Sequence, residues 1–425
     1  MRVLIITYYW PPAGGSGVQR WLHFVKYLHE FGIEPVVFTI ANPNYPIEDI
    51  SLYAQIPKGI EVIKQKIWEP NAFFGKKKKQ TGAGFLQQNP SFLQKLILYI
   101  RANYFIPDAR KFWIRPSVRT ITKYLKSNPV DWIITTGPPH SAHLIGRAIK
   151  EKTNTKWLAD FRDPWTEIDY FYQLPLSKKS LQKHHKLALS VLLKADIVTV
   201  VSNTMQEKYT KLGANCHVIT NGYDGEVLKD KPKLDTKFTL THIGMLNADR
   251  NPIIFWQILA EIIEENKAFK KLLQINLIGK IADEVTMSLR KYQLEQYVNL
   301  TTYIPHDAIQ AHQEKSQILL LFVNNVPSAK GIVTGKIFEY LRAQRPILAL
   351  APTDGDLANI ITATNTGKTI EFTDTSVLKK EILAYFDAFQ KGSLQVSSKE
   401  IEKYHRKNLT SELVKLLSET NLQVT

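Results

Sequence analysis

The chain has 425 residues, 44% of them hydrophobic, one cysteine (Cys216) and a formal net charge of +16. That length exceeds what one core usually organises, so two domains of roughly 200 residues are expected; the single cysteine excludes an intramolecular disulfide and fits a reducing compartment, and no run of ~20 apolar residues offers a membrane span. The charge is uneven: residues 51–150 hold 17 Lys and Arg against 4 Asp and Glu, which points to an anionic partner at one place, whether membrane surface, acidic substrate or nucleic acid.

Arg2 to Tyr8 is an apolar, β-rich run leading into YYWPPAGGSG, which suits a first strand and its turn better than the apolar region of a signal peptide. Val18, Leu22, Val25 and Leu28 repeat at helical spacing up to Gly32, and Pro35 to Ile40 reads as the next strand. Strand, glycine-rich turn, helix and strand open a doubly wound α/β domain whose first turn can bring backbone close to a ligand. The GGSG turn lacks G-x-G-x-x-G spacing and no acidic residue closes the second strand, which argues against a nicotinamide cofactor.

Residues 42 to 125 lack clean alternation. They contain KKKK at Lys76 to Lys79, then an apolar stripe of Phe92, Leu93, Leu96, Ile97, Ile100 and Tyr104 among Lys95, Arg101, Arg110, Lys111, Arg115 and Arg119. Two readings stand: a helix resting on an anionic bilayer, or a helix packed on its own domain with a solvated basic flank. Regular α/β order returns with strands at 130–135, 156–160, 197–201 and 216–220 and helices at 142–152 and 178–193. KDKPKLDTK (Lys229 to Lys237), charged and without apolar pattern, reads as a linker between a first domain, 1–228, and a second, 238–404. A C-terminal helix with Leu413, Val414 and Leu417, within 405–425, could pack back on the first domain.

The second half repeats the grammar, with strands at 238–244, 273–278, 298–303, 318–323 and 346–351 and a helix begun by Asn251-Pro252. Two such halves in tandem imply a cleft facing the carboxyl ends of both sheets. Between the last two strands, a helix from about Gly335 to Ala343 carries Lys336, Glu339 and Ala343 on one face, for binding, and Ile337, Phe338 and Leu341 on the other, for packing. A lysine in the first turn opposes the helix dipole, and a phosphate at that terminus would give it a partner. The alternative is a surface Lys–Glu pair three residues apart.

In order and spacing, YYWPPAGGSGVQR, DWIITTGPPHSAHLIG, KWLADFRDPW, ADIVTVVSN, VITNGYD, THIGMLNADRNP, INLIGK and TGKIFEYLRAQRPILAL resemble the GT-B glycosyltransferases of glycosyltransferase family 4, in particular bacterial members that build polysaccharides. The resemblance implies an α/β fold of two Rossmann-like, doubly wound domains facing a central cleft. It implies a retaining, hexosyltransferase-type enzyme that moves a sugar from a nucleoside-diphosphate sugar to a glycan or lipid-linked acceptor, with no metal or other cofactor. Glu339 matches the second glutamate of the family's E-x7-E motif, which accepts hydrogen bonds from the ribose hydroxyls, and Gly331 stands where the first, sugar-contacting glutamate would fall. Arg250 matches one of two diphosphate-binding basic residues, with Met245 at the place of the other; Lys336 and the N–H groups of Thr334 and Gly335 would complete that site. Tyr303 and Ile304 match the base-contacting loop, and Gly14 and Gly15 the loop that approaches the donor.

On the acceptor side, Asp160, Arg162, Asp163 and His140 are the candidate catalytic residues, one carboxylate orienting or deprotonating the acceptor hydroxyl while Arg162 holds its geometry. The same Asp–Arg–Asp group could instead be a buried ion-pair cluster that shapes the loop. The expected setting is cytoplasmic, peripheral on the inner face of the cell membrane, with residues 51–150 on anionic lipid and no nucleic acid bound. A GT-B sugar epimerase, or a basic nucleic-acid-binding protein with exposed aromatics in its charged patch, are the alternatives.

Overall fold

The computed structural model describes residues 1–69, 91–168, 171–227, 233–302, 304 and 306–422; Lys76 to Lys79 and Tyr303 lie outside these. The chain forms two compact units, Met1–Asn221 with Arg406–Thr425, and Gly222–His405. The first unit runs β1 (Arg2–Ile6), α1 (Ser16–Leu28), β2 (Glu34–Ile40), β3 (Glu61–Gln65), α2 (Phe92–Tyr104), α3 (Ile114–Leu125), β4 (Trp132–Gly137) and α4 (Ser141–Thr153). It continues through β5 (Lys156–Phe161), α5 (Lys178–Lys194), β6 (Ile197–Val200), α6 (Asn203–Lys211) and β7 (Cys216–Val218). The second unit begins β8 (Phe238–Ile243), α7 (Ile253–Glu265), α8 (Lys267–Leu272), β9 (Leu273–Ile278), α9 (Asp283–Lys291), β10 (Val298–Thr301) and α10 (His306–Lys315). Then follow β11 (Ile318–Phe322), α11 (Lys336–Ala343), β12 (Ile347–Leu350), α12 (Asp356–Thr364), β13 (Gly367–Ile370) and α13 (Thr375–Gln390), before α14 (Arg406–Leu422) returns to the first unit.

Both sheets are parallel throughout, in the orders β3-β2-β1-β4-β5-β6-β7 and β10-β9-β8-β11-β12-β13. The central strands β4 (WIITTG) and β11 (ILLLF) are buried at every position, as parallel strands covered by helices on both faces must be. Strand order reverses between β1 and β4 in one sheet and between β8 and β11 in the other, and the loops leaving the carboxyl ends of those strands are where an open α/β sheet binds ligands. Two strands escape the sequence pattern, β3 and β13. Each has one sheet neighbour and is only partly buried, so its residues need no apolar alternation.

The division of the chain differs from the linker expected at 229–237. Tyr223 is buried in the second unit's core and its N–H donates to the Tyr404 carbonyl at 3.1 Å, while the Asp235 N–H donates to the Lys315 carbonyl at 2.9 Å. Tyr223, before that stretch, and Asp235, within it, therefore pack with the second unit, and the first unit ends at Asn221. α14 places Leu409, Leu413 and Leu417 in the first unit's core, and the Arg406 guanidinium donates to the Gln19 carbonyl at 3.1 Å.

Asp160, on β5, is the polar centre of the first unit. It is 0% exposed, and its Oδ1 accepts from Arg20 Nη2 at 2.8 Å and Thr199 Oγ1 at 2.9 Å. Its Oδ2 accepts from Trp21 Nε1 at 2.7 Å and Thr136 Oγ1 at 3.0 Å. Arg20 also donates to the Ile219 and Thr220 carbonyls, both at 2.8 Å. One ion pair thus joins α1, β4, β5, β6 and the segment after β7. Burial alone would raise the Asp160 carboxyl, but the Arg20 charge and the hydrogen bonds from Arg20, Trp21 and Thr199 outweigh it and hold the group below the usual carboxylate range. Asp160→Asn keeps the size and leaves Arg20 as a buried, uncompensated charge; we expect a loss of ~3–5 kcal/mol in urea unfolding.

Candidate functional site

In the first unit the loops after β1, β4 and β5 carry the residues singled out from the sequence. Gly15 has φ +80° and opens α1, whose first turn has no acidic residue and no side-chain cap. Gly14 is small for a different reason: a Cβ there would lie 2.8 Å from Ile47 Cγ2, so the loop at Ile47 to Asp49 fixes it as well as any ligand could. Arg162 ties two of these loops together, donating to the Gly17 carbonyl at 2.7 Å and the Pro138 carbonyl at 3.5 Å, with its guanidinium over the Tyr9 ring. Asp163 lies 3.4 Å from Arg162 Nε with its side chain 41% exposed.

These positions correct part of the acceptor-side assignment. Asp160 cannot meet an acceptor hydroxyl, because it is fully enclosed and both its oxygens are saturated by protein donors. His140 is also buried, stacked on Trp165 at 4.6 Å between ring centres, and burial followed by the charges of His143, His184 and Arg162 pushes its imidazole well below its usual range. An imidazole lowered this far is a weak base, and its burial against Trp165 keeps it from an acceptor in solvent. Burial pushes His143 down to about 3 against the opposing charge of Asp160, and its Nδ1 lies 2.9 Å from the Thr135 hydroxyl. Asp163 and Arg162 are the members of the set that keep solvent access.

In the second unit the residues converge at the carboxyl end of β8, the strand at the order reversal. β8 ends at Ile243 and turns through Gly244 at φ +108°, a conformation that side-chain-bearing residues rarely adopt. A Cβ on Gly244 would lie 2.6 Å from Lys336 Cε and 2.8 Å from its Nζ, so the lysine at the start of α11 lies directly across the bare backbone. Lys336 Nζ meets His242 Nε2 at 3.3 Å. His242 Nδ1 faces the Leu320 carbonyl at 3.2 Å, and a carbonyl only accepts, so Nδ1 carries the proton and Nε2 offers its lone pair to the ammonium. Arg250 is held over the same turn by Asn324 Oδ1 at 2.9 Å and the Met245 carbonyl at 3.1 Å.

Burial first, then the Arg250 charge, pushes Lys336 down to about 7, with Glu339 countering only in part. His242 is lowered well below its usual range by burial, then by Lys336 and Arg250. Lys336 and Arg250 therefore face one glycine turn, and on Lys336 the Glu339 carboxylate offsets burial and the Arg250 charge only in part. The buried Thr334 Oγ1 and Asn247 Oδ1 have no hydrogen-bond partner among the described residues, and the first-turn N–H groups of a helix lack intrahelical acceptors. One turn along, Glu339 Oε2 accepts from Gln313 Nε2 of α10 at 2.9 Å, which fixes the carboxylate and leaves Oε1 with no partner among the described residues. Ile304 is half-buried after β10, whose Thr301 carbonyl accepts from Gly279 N–H at 2.7 Å.

α11 is not the half-free helix its periodicity suggests. Tyr340 and Ala343 are buried along with Ile337, Phe338 and Leu341, because α10 and the 401–404 turn cover the side away from the sheet. Its open part is the amino-terminal turn. Gly331 lies in a short helical turn, and Lys330 beside it pairs with Asp354 at 2.5 Å over an open depression of about 550 Å³ lined also by Asn325, Thr353 and Glu371.

No protein-family model matches the chain, and no curated protein matches it in sequence. Solved structures do match its fold. A glycosyltransferase from Rickettsia africae superposes with a TM-score of 0.63 at 13% identity, covering 99% of this chain and 98% of that one. Sucrose-phosphate synthase from Thermosynechococcus elongatus gives 0.60 at 14% identity over 100% of both chains. A putative UDP-N-acetylglucosamine 2-epimerase from Listeria monocytogenes gives 0.54 at 12% identity, over 100% of this chain and 97% of that one. The fold is GT-B, with two Rossmann-like domains.

Within the GT-B fold, sequence reasoning missed His242, Gly244 and Gln313. The signal available for the first two was the tripeptide His242-Ile243-Gly244 closing a buried strand; a histidine and a glycine there break an otherwise apolar β run. Gln313 gave no signal, since a polar residue on a helix reads as surface. Among the described residues no group of three or more His, Cys, Asp or Glu could hold a metal ion. The lysine makes a checkable statement about stability. Between about pH 7 and the ordinary lysine value of 10.5, the unfolded chain holds a proton on Lys336 that the folded chain has released, so the ligand-free protein gains stability as pH rises through that window. Lys336→Met should be the more stable protein at pH 7, with the difference shrinking by pH 10, in urea unfolding at both.

Proposed function

We propose that the second unit binds a nucleoside-diphosphate sugar and that the protein is a glycosyltransferase, transferring the sugar to a glycan or lipid-linked acceptor with retention of configuration. The observation that carries this reading is the pairing of Lys336 and Arg250 across the Gly244 turn, with the Glu339 carboxylate one helical turn away. Two fixed cations and the open end of α11 suit a diphosphate, whose negative charge grows as the sugar leaves. A carboxylate oxygen held by Gln313 on one side suits a vicinal diol on the other. Ile304, after β10, is assigned to the base and Gly15 to the donor-facing loop of the first unit. The charges invoked all come from side chains and backbone, so the reading requires no metal.

On the first unit, Asp163 is the carboxylate assigned to the acceptor hydroxyl, and Arg162 orients it by bridging the Gly17 and Pro138 loops. An epimerase of the same fold would use the donor site alone; sugar transfer that requires an added acceptor distinguishes the two.

Calorimetry with a panel of nucleoside diphosphates and their sugars tests the donor assignment. Glu339→Ala should weaken the best ligand about 10- to 100-fold, as loss of hydrogen bonds to a charged group would. Arg250→Ala should weaken the diphosphate far more than the free nucleoside, and equal loss of both would argue against the assignment. An anionic ligand raises Lys336, so binding takes up a proton: affinity for the nucleotide sugar should fall as pH rises above about 7, and Lys336→Met should flatten that dependence.

A further inference from the structure

α2 is turned the wrong way for a helix of a water-soluble domain. Its attachments are at one end and on one side: Asn103 donates to the Pro175 carbonyl at 2.8 Å and accepts from Ser177 N–H at 2.7 Å, Ala102 is buried and Leu98 is half-buried. At 100° per residue Leu98 and Ala102 share one face, while Phe92, Leu93, Leu96, Ile97, Ile100 and Tyr104 lie on the opposite one. Those six side chains are 42–84% exposed. The apolar stripe therefore faces away from the described residues of the first unit.

The surroundings specify what could cover it. Tyr104, Phe112 and Trp68 are exposed at one end of the stripe, with Trp68 and Phe112 in edge contact at 4.7 Å. Lys111 sits among them, over the Phe105 ring at 4.7 Å and the Phe112 ring at 5.1 Å, and the charge of Lys183 on α5 helps to lower it, after burial. α2 contributes Lys95 and Arg101, and α5 carries five lysines; neither helix contains a carboxylate. Apolar side chains outward, aromatics at the margin and cations around them make the pattern of a helix lying in a membrane interface. A second copy of the chain would set these cations against their own equivalents, since a two-fold interface is self-complementary. A single-stranded nucleic acid would use the cations and aromatics but leave Leu93, Leu96, Ile97 and Ile100 in water.

We propose that α2, flanked by Lys95, Lys111 and Lys183, docks the first unit on a phospholipid bilayer that contains anionic lipid. The helix lies flat, about 20 Å long for its length, with Phe92, Leu96 and Ile100 below the headgroups and the lysines at phosphate level. This rests on α2 and its neighbours, and stands whatever ligand the second unit takes. No helix among the described residues is long and apolar enough to cross a membrane, so attachment here is at the surface.

The test is flotation of the full-length chain with vesicles of phosphatidylcholine alone or with about one-third phosphatidylglycerol. The protein should float with the anionic vesicles and remain below with the neutral ones. Leu96→Glu with Ile97→Glu should reduce flotation roughly tenfold or more while leaving the thermal midpoint unchanged, because both side chains already face water. Lys95→Glu with Lys183→Glu should also reduce it. Cys216 is buried and is the chain's one cysteine, so an environment-sensitive dye on Ile100→Cys reports burial directly; its emission should rise and shift to the blue on anionic vesicles. Absence of flotation, flotation that survives Leu96→Glu with Ile97→Glu, or equal binding to neutral vesicles would overturn the proposal. So would a dimer in analytical ultracentrifugation that Leu96→Glu with Ile97→Glu dissociates, or dye on Ile100→Cys responding to an oligonucleotide and not to lipid.

Discussion

A buried charge must find a partner, and this molecule meets that constraint in two opposite ways. Arg20 enters the first unit's interior from α1 and finds Asp160, whose remaining lone pairs are taken by Trp21, Thr136 and Thr199. The pair is complete, so it contributes position rather than reactivity: it fixes α1 against three strands and the segment that leaves the unit, and so sets where the glycine-rich turn and the Arg162 loop stand. Taking either partner away would strand the other without water or counter-charge.

Lys336 in the second unit is the incomplete case. Its ammonium meets the lone pair of a neutral histidine, and its strongest charged neighbour is another cation. Geometry prevents relief, because Gly244 lets the lysine chain lie close to the β8 turn and α11 is packed around most of its circumference. A lysine whose charge the neighbouring carboxylate offsets only in part suits the anionic ligand proposed for this site. The open end of α11 and the oxygens of Thr334, Asn247 and Glu339 that have no partner among the described residues lie on the elements that border it.

α2 repeats the argument with apolar surface in place of charge. In a domain with a full core, six apolar side chains have no reason to sit on the solvent side of a helix whose inner face is Leu98 and Ala102. The cations of α2 and α5, two helices without a carboxylate of their own, give that surface a preferred phase.

The amino-acid sequence by itself determined the α/β class, the order of the strands along the chain and the position of α11, because buried parallel strands must be continuous apolar runs and glycine, proline and asparagine mark their ends. It also carried Lys336 as a candidate, since a lysine in a helix's first turn is electrostatically misplaced wherever the helix lies, and Glu339 on the same face; Arg250 came from the resemblance to glycosyltransferase family 4. The edge strands β3 and β13 stayed hidden because one-sided pairing asks little of their side chains. Only the tertiary structure decided that Asp160 and His140 belong to the interior, because burial is a property of what packs above a residue, and DFRD reads the same exposed or enclosed. It also decided that Gln313 holds Glu339, that Gly244 is needed for Lys336, and that the stripe on α2 points outward. Periodicity gives a helix an apolar face; which way that face turns depends on residues far away in the chain.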